Sequence, residues 1–85
     1  MAVTAYVLIR CEGGMPEEVV RRLRQKGHVK RASTVFGDYD AIARVEIDEL
    51  PSSFSVLTLE RVIFDEVQRI KGVLSTNTHI VTSSD

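Results

Sequence analysis

The sequence has a single cysteine, Cys11, and almost no net charge. One cysteine excludes a disulfide within the chain and suits a reducing compartment. Eleven Lys and Arg face twelve Asp and Glu, for a formal net charge of -1. That balance excludes the chain-wide positive footprint of a nucleic-acid-binding domain. No apolar run reaches the length of a membrane span, and Arg10 and Glu12 arrive too early for a signal peptide. These absences predict a cytoplasmic protein that touches neither membrane nor nucleic acid directly.

Chemistry-bearing motifs are also scarce. There is no Cys-x-x-Cys, no His-x-x-x-His and no carboxylate cluster at metal-ligand spacing. The stretch "CEGG" at 11–14 has two glycines but no basic residue or hydroxyl behind them, so it reads as a turn rather than a phosphate loop. No metal or cofactor is expected. Cys11, His28 and His79 form a nucleophilic pair only if the fold brings thiol and imidazole together. A small buried thiol and two half-exposed imidazoles are the simpler reading.

What is present is a regular succession of periodic segments. At 85 residues the chain is expected to be one domain, with a core over about 5–81 and a polar tail at 82–85. In "AVTAYVLIRC", Ala5, Val7, Ile9 and Cys11 alternate with Tyr6, Leu8 and Arg10, as in a strand. Pro16 and the acidic pair Glu17-Glu18 open a helix over about 16–26, with Met15, Val19, Val20 and Leu23 as its apolar stripe. "HVKRASTVF" reads as a second strand. "AIARVEI" is the clearest third, with Ala41, Ala43, Val45 and Ile47 on one face. The polar connection after Asp48 carries Pro51 and three serines. A second helix then buries Leu59, Val62, Ile63, Val67 and Ile70 and turns Glu60, Arg61, Asp65, Glu66 and Arg69 outward. A Thr- and Val-rich strand follows Gly72.

The order strand, helix, strand, strand, helix, strand predicts an α+β, ferredoxin-like βαββαβ fold. It is a four-stranded antiparallel sheet with both helices on one face. The other face, carrying Tyr6, Leu8 and Ile42, stays uncovered and invites a second copy of the chain.

Three features stand out from this scaffold. Arg21, Arg22, Arg24, Lys26, Lys30 and Arg31 form a local positive cluster, which the dipole of the first helix largely accounts for. The connection between the middle strands reads Gly37-Asp38-Tyr39-Asp40. A turn explains the glycine and one acid, but not a large amphipathic ring. Amides near Gly37 suit a carboxylate and the neighbouring acids suit an ammonium group, which together describe a zwitterion. Ser75, Thr76 and Thr78 then offer hydroxyls at the start of the last strand.

"YVLIR", "VKRASTVFGDYDAIARVE" and "VQRIKGVLSTNTHIV" together resemble the ligand-binding (RAM) domain of the Lrp/AsnC family of transcriptional regulators. The resemblance covers about 5–81. It implies dimers paired through their sheets, dimers assembled into rings, often octamers, and an amino-acid effector bound between dimers. The implied ligand-binding residues are Gly37, Asp38, Tyr39 and Asp40 from the hairpin and Ser75, Thr76 and Thr78 from the last strand. The chain begins at the first strand without the family's helix-turn-helix, so it resembles the stand-alone form of the domain. The 48–56 connection is longer than usual.

The expected function is therefore a non-enzymatic amino-acid-binding and oligomerisation module. It would regulate amino-acid metabolism or transcription without contacting DNA, with other Lrp/AsnC proteins as expected partners. The alternatives are a small dimeric α+β barrel enzyme using His28, His79 or Asp40, and a ligand-free assembly scaffold.

Overall fold

A computed structural model describes residues 2–48 and 56–82. Strand β1 spans Ala2–Cys11, helix α1 Pro16–Leu23, β2 Val29–Thr34, β3 Ala41–Asp48, α2 Val56–Ile63 and β4 Val73–Ile80. One antiparallel sheet runs in the order β2-β3-β1-β4. This is the expected ferredoxin-like α+β fold. The polar connection carrying Pro51 and the end of the tail lie outside the described residues.

The core forms where the alternating faces meet the helices. Ala5, Val7 and Ile9 of β1 and Ala41, Ala43, Val45 and Ile47 of β3 are buried against Val19, Val20 and Leu23 of α1 and Leu59 and Ile63 of α2. Each buried Val, Leu or Ile side chain contributes roughly 1.5–3 kcal/mol. The opposite face carries Tyr6, Leu8 and Arg10 of β1, paired with Arg44 and Ile42 of β3 and with His79, Asn77 and Ser75 of β4. Helix α1 has Pro16 in its first turn, Glu17 and Glu18 beside it, and Arg21 and Arg22 at its end. That distribution follows the helix dipole.

Four local features depart from the sequence pattern. Helix α1 ends at Leu23, and residues 24–26 continue in a tighter turn held by i+3 bonds from Gln25 and Lys26 to Arg22 and Leu23. Strand β2 stops at Thr34, because the Val35 N–H bonds to the Asp40 carbonyl at 3.0 Å and closes a loop. Phe36 is thereby left fully exposed. The second helix leaves α geometry at Phe64 and continues as a π turn over Phe64–Gln68, with Arg69 N–H reaching back five residues to Phe64 O at 3.2 Å. Glu66 in that turn does not point outward as expected. Its side chain is only 17% exposed, because it accepts the His28 N–H at 2.9 Å and pairs with the His28 ring.

Cys11 closes β1 inside the core, at 8% exposure. Desolvation, and secondarily the Asp40 charge, push its pKa above the ordinary thiol value. The thiolate is scarce in the folded state at pH 8, so Ellman's reagent should react slowly with native protein and rapidly after unfolding in guanidinium. Because the folded state holds the thiol proton more tightly, this site favours folding less as pH rises past the unfolded thiol value. Fast native labelling at pH 8 would contradict the burial.

Candidate functional site

The loop joining β2 to β3 is built around Asp40. Strand β3 begins at Ala41, paired with Ile9, so beyond Ile9 the β1 backbone has no β3 residue to pair with. Asp40 fills the gap. Its N–H donates to Ile9 O at 2.9 Å, and its Oδ2 accepts the Cys11 N–H at 2.8 Å. The side chain acts as a surrogate ladder bond and holds the loop against the end of β1. Gly37, with φ of +149°, turns the chain in a region that side chains rarely adopt. Asp38 is exposed beside it.

From this platform Tyr39 reaches across the open face of the sheet. The Arg10 guanidinium lies 4.9 Å from the centre of its ring, a cation–π arrangement. Its hydroxyl accepts a hydrogen bond from Asn77 Nδ2 on β4 at 3.1 Å. Ser75 stands on the same face, directly opposite Arg10. Tyr39 therefore ties the loop to β1 and β4.

Thr76 and Thr78 face the other way. They pair with Ile9 and Val7, on the side covered by helices. Here β4 and the second helix leave a groove of about 500 Å³, lined by Leu59, Glu60, Ile63, Phe64, Gln68, Thr76, Thr78 and Ile80, among others. Gln68 Nε2 donates to Thr76 Oγ1 at 2.9 Å across the groove. The helix wall is mostly apolar but also carries the Gln68 amide and the Glu60 carboxylate, and the β4 wall presents two hydroxyls beside Ile80. A concave site with an apolar wall and a few placed polar groups suits a small amphipathic ligand.

The seven candidate residues thus divide between two sides of the sheet. Gly37, Asp38, Tyr39, Asp40 and Ser75 belong to the loop and open face, whereas Thr76 and Thr78 line the groove. Among the described residues, none of the loop residues lines the groove. Arg10, Asn77, Glu60, Phe64 and Gln68 join these two settings without having been singled out from sequence. Arg10 was legible as a member of the open face, by alternation with Tyr6 and Leu8. Nothing in local spacing marks Gln68 as a neighbour of Thr76. The histidines and the cysteine stay apart: His28 is held by Glu66, His79 lies on the open face opposite Tyr6, and Cys11 is in the core. Among the described residues no group of three or more His, Cys, Asp or Glu could hold a metal ion, and no helix is long and apolar enough to cross a membrane.

The family model for the Lrp/AsnC ligand binding domain matches residues 4–84. The chain belongs to that family. Among solved structures, the Lrp/AsnC-type domain described here is similar to FFRP-DM1, at 32% identity and a TM-score of 0.78 over 93% of this chain and 97% of that one. It is similar to the hypothetical protein PHS023 from Pyrococcus horikoshii, at 30% identity and a TM-score of 0.78 over 96% and 92%. It shares its fold with the transcriptional regulator NMB0573 from Neisseria meningitidis, solved as an L-Met complex, at 12% identity and a TM-score of 0.75 over 95% of this chain and 50% of that one. No curated protein matches the chain by sequence. An Lrp/AsnC ligand-binding domain is a regulatory, effector-binding module. That family setting fits a non-catalytic role.

Proposed function

We propose that this Lrp/AsnC domain binds a free α-amino acid in the groove between the second helix and β4, and that a neighbouring copy completes the site. The observation that carries this reading is the division just described. Thr76, Thr78 and Gln68 supply hydrogen-bonding groups on one side of the sheet, while the loop amides near Gly37 face elsewhere in the same chain. A ligand touching both needs the loop of a second molecule. Glu60 and the threonine hydroxyls suit an ammonium group, unhindered amides at Gly37 and Asp38 suit a carboxylate, and Leu59, Ile63, Phe64 and Ile80 suit an apolar side chain. The L-Met complex of NMB0573 supports this ligand class.

In this reading residues 1–85 act as one domain. Protomers pair through the open sheet faces, and dimers assemble into an octamer-like ring. The module works in the cytoplasm and regulates amino-acid metabolism or transcription through other Lrp/AsnC proteins, without contacting DNA. The hairpin residues take unequal parts. Asp40 and Tyr39 are engaged inside the chain, so they shape the loop, and Asp38 is left as the side chain free to meet ligand or neighbour.

Calorimetry against the twenty amino acids, on protein whose mass in solution is measured in parallel, tests the proposal. At least one should bind. Thr78→Val or Gln68→Ala should weaken it about 10-fold or more, the usual cost of losing a hydrogen bond to a charged ligand. Absence of any binder at millimolar concentration would overturn the sensing role and favour an assembly scaffold.

A further inference from the structure

The positive cluster near the end of α1 does not act as one patch. Arg24 turns back to its own chain and donates to the Ala32 carbonyl from Nε and Nη2, at 3.1 and 3.0 Å. Lys30 Nζ donates to the Gly27 carbonyl at 3.3 Å. Arg21, Arg22 and Lys26 instead line a concavity of about 600 Å³, and Arg69 and Lys71, from beyond the π turn, line its other side. Five cations from two segments more than forty residues apart in sequence converge there.

The counter-charges are fewer. Glu18 bonds Arg21 at 2.5 Å and Arg22 at 2.8 Å, and Asp65 lies 3.8 Å from Arg69. Among the described residues, Lys26 and Lys71 form no ion pair. A positive surplus thus sits in one groove of a chain whose overall charge is -1. Helix dipoles favour cations at each helix end separately. They do not favour the convergence of two such sets, because like charges in one concavity repel. A cleft lined by one sign of charge focuses the field and concentrates ions of the opposite sign.

We infer that this groove binds a compact polyanion of the polyphosphate class, such as the phosphate chain of a nucleotide. Guanidinium forks and two unpaired ammonium groups are the donors that phosphate oxygens require. The shape favours a compact anion over a nucleic-acid duplex: the cations ring a concavity, and the flanking Arg24 and Lys30 are spent on backbone carbonyls rather than extending a stripe. No lining residue is shared with the groove at β4, so the inference stands independently of the amino-acid reading.

The probe is inorganic tripolyphosphate, titrated calorimetrically into the full chain at low ionic strength. Binding is expected, with log K falling linearly as log salt rises. Lys26→Gln/Lys71→Gln should bind about tenfold or more weakly, and Lys30→Gln should bind like the parent. Matching thermal melts show that the variants fold. No binding by the parent, or equal binding by the double variant, would overturn the inference. So would tight binding of duplex DNA that tripolyphosphate fails to displace, since the surface would then read an extended backbone.

Discussion

Gly72→Val is expected to cost the domain a large part of its stability, and Gly72→Ala only somewhat less. Gly72 sits at the entry to β4 with φ of +100°, and its carbonyl accepts the Glu12 N–H at 2.8 Å. A side chain there adopts a strained backbone, and its first carbon would lie 2.9 Å from Met15 Cε, 3.1 Å from Met15 Cβ and 3.1 Å from Val19 Cγ2. The Met15 end can move. Val19 cannot do so easily, because it is fully buried in the α1 stripe. Backbone strain and overpacking together give roughly 2–5 kcal/mol. A domain of this size is stable by only about 4–13 kcal/mol, so the thermal midpoint should fall by about 10 °C or more. Gly27 is the control. It lacks a positive φ and has open space around it, so Gly27→Ala should change stability by about 0.5 kcal/mol or less. Equal melting of the Gly72 and Gly27 variants would refute the close approach of β4 to α1.

Asp40→Ala is the second large effect, and it is a loss of shape as much as of stability. The substitution removes the acceptor of the Cys11 N–H in a part-buried position. A buried donor left without a partner costs about 1–3 kcal/mol. Asp40→Asn keeps an oxygen in reach and should lose less than half as much. The decisive measurement is amide hydrogen exchange. Protection at Cys11 should collapse in Asp40→Ala and survive in Asp40→Asn, whereas protection at Val7, deep in the β1–β3 ladder, should change little. With its anchor gone, the 35–40 loop should also release Tyr39 from Arg10 and Asn77. The tyrosine environment, followed by near-ultraviolet circular dichroism, should change with it. Unaltered exchange at Cys11 would mean that Asp40 is not the bond that holds the loop.

Both predictions concern contacts between residues distant in the chain, and the same distinction governs what was legible beforehand. Alternation at 41–47 assigned Ala41, Ala43, Val45 and Ile47 to the core, and all four are buried. The stripe of Val19, Val20 and Leu23 was equally plain and equally buried. Those signals are local, since strand and helix periods repeat within a few residues. Glu66 was read as an outward residue because helix period alone placed it there. It turned inward because His28, 38 positions away, offers both a backbone N–H and a ring nitrogen.

The candidate site shows the same limit. Ser75, Thr76 and Thr78 looked like one polar run, yet the two-residue period of a strand sends Ser75 to the open face and the threonines to the helices. Which face meets which partner depends on the register of β4 against β1, a pairing of residues more than sixty positions apart. Tyr39 looked like a ring that the turn itself does not require. Cross-sheet contact with Arg10 and Asn77 gave it an internal role.

The sequence by itself determined the element order, the apolar faces and hence the α+β sheet-and-helix layering, because hydrophobic periodicity is written in consecutive residues. Only the tertiary structure decided that the loop hangs on Asp40, that Thr76 meets Gln68 in a groove, and that cations of two helix ends share another. Each of those juxtapositions is made by chain closure over long separations. Their energies come from single hydrogen bonds and charges, whose partners a local pattern does not name.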